Sequence, residues 1–140
     1  MAQPAEPRIF RAVAPLVVVA IAVSIVHYVD NYSAYDAYPR SDTIPNPSAG
    51  LIGAAWFLFT PFALAGLWLL REGRTRGAAI CLAVYSGSGL VGLGHYAAGG
   101  TGDFPWWRHA HIVADIALGA AILATAVWLA LRPPRDVAAT

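Results

Sequence analysis

The chain has no lysine, a single cysteine and little charge of either sign, and each shortage excludes something. All nine basic residues are arginines, and they are scattered among the ends of apolar segments. Nucleic-acid binding draws on clustered basic side chains, so no nucleic-acid partner is expected. Cys81 stands alone and cannot form an intramolecular disulfide. The glycine-rich stretch Gly99-Gly100-Thr101-Gly102 is not a phosphate cradle, because no lysine follows it and no strand precedes it.

In place of charge the chain carries apolar length. At 58% hydrophobic and 12% charged residues it is too apolar for an ordinary soluble domain. Four apolar runs can be drawn, Val13 to Val29, Leu51 to Leu70, Gly77 to Tyr96 and Trp107 to Leu131. Each is near the length of roughly 20 residues that a spanning helix needs, the first being extended by Ile9 and Phe10. The expected fold is all-α: one integral membrane domain over residues 1–140, a four-transmembrane-helix bundle with helices at about 9–30, 48–71, 77–97 and 106–132. The first run resembles a signal peptide in its basic flank and in Ala34, but His27, Tyr28, Asp30 and Tyr32 fit a cleavage region poorly, and it is kept as a helix.

The arginines set the orientation. Arg8, Arg11, Arg71, Arg74, Arg76, Arg132 and Arg135 fall on one side of the four-pass arrangement, Arg40 and Arg108 on the other. The positive-inside rule then puts both termini in the cytoplasm of a bacterial-type inner or plasma membrane.

Local signals refine the helices. Pro15 is placed in the first turn of helix 1, where its missing N–H is tolerated. That helix is expected to end at Asp30-Asn31, with Asn31 as a left-handed cap. Asp30 then faces the negative end of the helix dipole and calls for a cation, His27, Arg40 or a bound ion, or for water. Tyr28, Tyr32, Tyr35 and Tyr38 read as an interfacial belt or as a lid. Ser48 is the expected N-cap of helix 2, and Thr60-Pro61 predicts a kink. Ser88 and Gly92 have the spacing that lets helices approach closely in lipid. Arg132-Pro133-Pro134 ends helix 4, and the terminal tails look unstructured.

The chemistry gathers at the opening of the last segment, Arg108-His109-Ala110-His111-Ile112-Val113-Ala114-Asp115. His111 and Asp115, four apart, share one helix face. At 1.5 Å per residue His27 lies about 24 Å beyond Arg11 and His95 about 28 Å beyond Arg76; His111 and Asp115 lie about 32 Å and about 26 Å from Arg132. Three helices therefore deliver His27, His95, His111 and Asp115 to one layer near the exterior face, with Asp30 at its edge and His109 above it. Ionisable groups at such depth are costly and point to function.

Three imidazoles and carboxylates suit a transition metal (zinc, copper or iron), bound at His27, His95, His111, Asp115 and Asp30, for metal handling or for metal-dependent chemistry on a lipid-soluble substrate. Asp115 either ligates directly or orients a ligating histidine. The alternatives are a b-type haem held by two of His27, His95 and His111 for electron transfer, a proton or cation pathway or pH sensor, and a structural membrane subunit whose polar layer holds the helices in register. A homodimer or a partner membrane subunit is compatible with the glycine-rich surfaces. No catalytic residue, and no enzymatic activity as such, is assigned by the sequence.

Overall fold

A computed structural model describes residues 5–43 and 45–132. The expectations for Arg135, for the prolines after Arg132, for residues 1–4 and for the C-terminal tail fall outside these residues, whereas residues 5–7, expected in the unstructured N-terminal tail, are helical. All regular secondary structure among the described residues is helical: α1 (Ala5–Ser33), α2 (Ala49–Arg71), α3 (Thr75–Leu90), α4 (Leu93–Ala98) and α5 (Trp106–Ala130), with short 3₁₀ turns at Tyr35–Ala37 and Thr101–Asp103. Among these residues four helices are long and apolar enough to cross a membrane, Arg8–Ser33, Ala49–Arg71, Thr75–Ala98 and Trp106–Ala130, the third comprising α3 and α4.

The spans form a ring in which α1 packs on α2, α2 on α3, α3 on α5 and α5 back on α1. Periodicity decides what each helix turns inward. Along α1 the buried positions Ile9, Val13, Val17, Ala20, Ser24, His27 and Asn31 form a stripe with steps of three and four residues, with Tyr28 buried beside it. The same stripe on α5 runs Arg108, His111, Asp115, Gly119, Ile122, Ala126 and Leu129. In both helices the inner stripe is apolar toward the arginine-rich end and polar toward the other. The remaining surface is apolar as well: Phe57 is 72% and Ile80 67% exposed, as suits helices solvated by acyl chains.

The closest approach is between α3 and α5. A methyl group built on Gly89 would run into the backbone carbonyl of Asp115, and one on Gly119 would stand 3.0 Å from the Ser86 carbonyl oxygen. Small residues thus bring the two backbones together, as they do in lipid generally.

Four local features differ from expectation. Helix α1 starts at Ala5, so Pro15 withholds its N–H in the helix interior and not in the first turn. It also continues to Ser33, with the Ala34 N–H donating to the Asp30 carbonyl at 2.8 Å. Asn31 does not cap it, since no non-glycine residue among those described has positive φ; its amide is used in a tertiary contact described below. The third span is not one continuous α-helix. At Val91-Gly92 the backbone tightens to i→i+3 bonds, Gly92 N–H to the Gly89 carbonyl at 3.0 Å and His95 N–H to the Gly92 carbonyl at 3.1 Å, and this re-aims α4 and His95. Ser48 caps α2 as its sequence predicts, accepting from the Leu51 N–H at 3.2 Å. The Thr60 hydroxyl donates to the Trp56 carbonyl at 2.7 Å, one residue before the Phe57 carbonyl that Pro61 cannot serve.

Candidate functional site

The polar ends of the inner stripes meet. His27, 2% exposed, presents Nδ1 to the Asp115 carboxylate at 2.7 Å, and Asp115 is itself 2% exposed. On the far side of the ring, His27 Nε2 faces His95 Nε2 at 3.2 Å, and the Asn31 side-chain amide lies 3.1 Å from the same His95 nitrogen. A line of hydrogen bonds therefore runs from Asp115 on α5 through His27 on α1 to His95 on α4. The glycine at 92 makes room for it, because a methyl group there would sit 3.2 Å from His27 Cε1. A carboxylate this deep needs a compensating partner. Asp115 finds it in His27, one helix away, and not in His111 on its own face.

Asp30 has a second set of partners. Arg108 binds it through two bonds, Nε to Oδ2 at 2.8 Å and Nη2 to Oδ1 at 3.2 Å, the bidentate geometry that guanidinium and carboxylate favour. The Arg108 guanidinium also stands within 5.2 Å of the ring centroids of Tyr38, Phe104 and Trp107. The cation expected beside Asp30 is thus Arg108; Arg40 pairs instead with exposed Asp36 at 3.1 Å. The Tyr38 hydroxyl, reaching back from the loop after α1, donates to Asp30 Oδ2 at 2.5 Å, and its ring lies 4.7 Å from that of His95. Burial first, and then this bond to a carboxylate, push the Tyr38 hydroxyl well above its ordinary range, so it stays a donor.

His111 lies between the two groups. Its ring centroid is 5.5 Å from that of His27, and Nε2 is 3.3 Å from Asp30 Oδ2, yet neither buried ring nitrogen has a hydrogen-bond partner. His109 stands apart, its Nδ1 sharing a hydrogen bond with the Tyr96 hydroxyl at 3.1 Å. Of the five residues picked from sequence, His27, His95 and Asp115 are joined directly, while His111 adjoins both groups and Asp30 belongs to the Arg108 pair. Among the described residues no group of three or more His, Cys, Asp or Glu side chains is arranged to hold a metal ion.

Sequence reasoning did not pick Arg108, Asn31 or Tyr38 for the site. Asn31, four residues beyond His27 on the same face, could have been found by extending the inner stripe of α1 by one turn. The tyrosines divide by role: Tyr28 and Tyr38 are buried, while Tyr32 is 56% exposed. The Tyr28 hydroxyl donates to the Ser88 carbonyl at 3.1 Å.

A cavity of about 350 Å³ adjoins the line of bonds, between the end of α1, the start of α2, α4 and the loop that joins α1 to α2; His27, Asn31 and His95 form part of its wall. Toward the other end of the bundle the hydroxyls serve their own helices: Ser86 donates to the Ala83 carbonyl, Thr60 to that of Trp56 and Thr125 to that of Ala121. Compared with protein families, curated proteins and solved structures, the chain matches none.

Proposed function

We propose that this integral membrane protein moves a proton to and from a lipid-soluble molecule held in the cavity, with Asp115, His27 and His95 as the proton-carrying line. One observation carries the reading: His27 is held on both ring nitrogens, by a buried carboxylate at 2.7 Å and by a second imidazole at 3.2 Å on the cavity wall. With no ion between them, two ring nitrogens at that distance are complementary when one presents a hydrogen and the other a lone pair, so in this reading a single proton lies between them. Asp115 fixes the His27 tautomer and stabilises the imidazolium that forms when the proton moves inward, the role a buried aspartate plays behind a histidine base. His95, half-buried at the wall, exchanges the proton with the bound molecule. A proton removed from one carbon and returned to another leaves an isomer, with no second reactant required.

A second reading has its own support in His111. Two buried ring nitrogens without a hydrogen bond, one of them 3.3 Å from the Asp30 carboxylate, are costly, and a metal ion would satisfy one of them. The 3.2 Å between His27 Nε2 and His95 Nε2 is close to the roughly 3.3 Å edge of a tetrahedral site with 2.0–2.1 Å bonds. In this reading His27, His95 and His111 hold zinc, copper or iron, and Asp115 orients His27 from behind. A haem between two of the imidazoles needs its axial nitrogens about 4 Å apart, twice a metal–nitrogen bond, and is favoured less.

One preparation tests these readings. The full chain in nanodiscs is incubated in D₂O with a total lipid extract, and neutral lipids are screened by mass spectrometry for deuterium bound to carbon. Wild type should incorporate deuterium into a specific component, and Asp115→Asn and His27→Gln should lower the rate about 10²-fold or more. Elemental analysis and an absorption spectrum of the same sample read the alternatives. Absence of any enzyme-dependent deuterium, with stoichiometric metal lost in His111→Ala, overturns the first reading in favour of the second.

A further inference from the structure

The wall of the cavity narrows what it can hold. Among the described residues the only formally charged side chain along it besides the histidines is Arg40, which is exposed and paired with Asp36 at 3.1 Å. Most of its polar groups already have partners. The Tyr35 hydroxyl donates to the Pro47 carbonyl at 2.8 Å, tying the two ends of the loop together. Tyr38 donates to Asp30, and Tyr28 to the Ser88 carbonyl. Asn46 uses both ends of its amide on Ser41, accepting from its N–H and donating to its carbonyl, each at 2.8 Å. Asn31 and His95 bond to each other at 3.1 Å, but an amide has a second hydrogen and a carbonyl oxygen and an imidazole a second ring nitrogen, so the bonding capacity that remains toward the space is concentrated at these two, at one end. The rest of the wall is aliphatic, from Leu51, Ile52 and Ala55 on α2 to Val91, and Leu51 and Val91 are 60% and 62% exposed, which gives the mouth an apolar rim.

We infer that the cavity binds a neutral, predominantly aliphatic molecule carrying a single oxygen head group, hydroxyl or carbonyl, which is received by Asn31 and His95 while its chain lies along Leu51, Ile52, Ala55 and Val91. A carboxylate would find only Arg40, which is already paired with Asp36, an amine would find no carboxylate among the described residues of the wall, and a charge that leaves water unpaired is costly. A hydrocarbon would leave the Asn31 amide oxygen and the second ring nitrogen of His95 facing an apolar chain. The volume agrees: the cavity of about 350 Å³ is within the range of small-molecule sites. The loop, held down by Tyr38 on Asp30 and closed by Tyr35 on Pro47, roofs the head-group end. This inference rests on the reading of His95 as the residue that meets the substrate, and it names the class of molecule His95 meets.

The test uses the full chain in nanodiscs and a diazirine-bearing decan-1-ol as probe. After photolysis the labelled residues are mapped by mass spectrometry. Labelling is expected at Ile52, Ala55 or Val91, suppressed by excess decan-1-ol or decan-2-one and not by decanoate, decylamine or decane. Asn31→Leu should lower it roughly tenfold, about the worth of one hydrogen bond, and Ala55→Trp should abolish it by filling the space. Labelling spread evenly over lipid-facing positions such as Val18 and Leu64, or suppressed equally by decane, overturns the inference, and both outcomes are read on wild type alone. Probe capture without deuterium incorporation leaves the binding site standing and removes the proton-transfer reading. Deuterium incorporation without capture does the reverse.

Discussion

Arg108 shows how one side chain can decide the geometry of the layer. Its guanidinium and the Asp30 carboxylate are buried to 9% and 13% exposure, and Tyr38 and His111 both depend on where that carboxylate sits. Removing one partner of a buried pair leaves a charge with nothing to compensate it, whereas removing both takes away the desolvation cost together with the attraction. Arg108→Leu is therefore expected to destabilise the protein by about 3–5 kcal/mol, and Arg108→Leu combined with Asp30→Leu by clearly less than either single change. Thermal unfolding of the four proteins in one detergent measures this. If the double variant is as unstable as the sum of the singles, the pair is not coupled as its geometry requires. The same pair explains why Asp30 is tolerated near a helix C-terminus, where the dipole disfavours it: the compensating cation comes from α5, and nothing in the order of residues around Asp30 points there.

Between elements, the contact that sets the site is the one between α3 and α5. Gly89 lies against the backbone of Asp115, so the carboxylate that anchors His27 is placed by a glycine on another helix. Gly89→Ala should cost about 1–3 kcal/mol through overpacking and should displace Asp115 as well. Gly94→Ala, where the added methyl meets nothing within 4 Å, should be neutral or slightly stabilising. Equal melting temperatures for the two variants would contradict the packing described. This contact also marks what could be read from sequence. Depth along each helix follows from a constant rise per residue, so His27, His95, His111 and Asp115 could be placed at a common height from their distance to the flanking arginines. Helix existence and the Ser48 cap were legible for the same reason: they depend on neighbours in the chain. Azimuth does not. Which way Asp115 faces depends on how closely Gly89 and Gly119 let two backbones approach, and the direction of His95 depends on the tightening at Val91-Gly92. Hence the pairing of Asp115 with His27 in place of His111, the use of Arg108 on Asp30 and the extension of α1 to Ser33 emerge only from the folded chain.

For the whole molecule, the remaining question is which way the bundle faces, because that decides from which leaflet the cavity is reached. At one end of the spans stand Arg8, Arg11, Arg71, Arg74, Arg76 and Arg132, the last with its guanidinium 3.7 Å from the Trp128 ring centroid. At the other end are Arg40 and Arg108, each bound to an aspartate. The cavity and the Asp115–His27–His95 line belong to this second end. Basic residues close to span ends are retained on the cytoplasmic side, so we propose that the cavity opens toward the exterior leaflet and that its ligand is drawn from there. In a Cys81→Ser background, Asp103→Cys should react with a membrane-impermeant maleimide on intact cells, and Glu72→Cys, in the turn between α2 and α3, only after permeabilisation. The two positions lie at opposite ends of the bundle, so each serves as the control for the other. The reverse pattern would place the site on the cytoplasmic leaflet; it would leave the hydrogen-bonded line untouched but require the bound molecule to come from inside the cell.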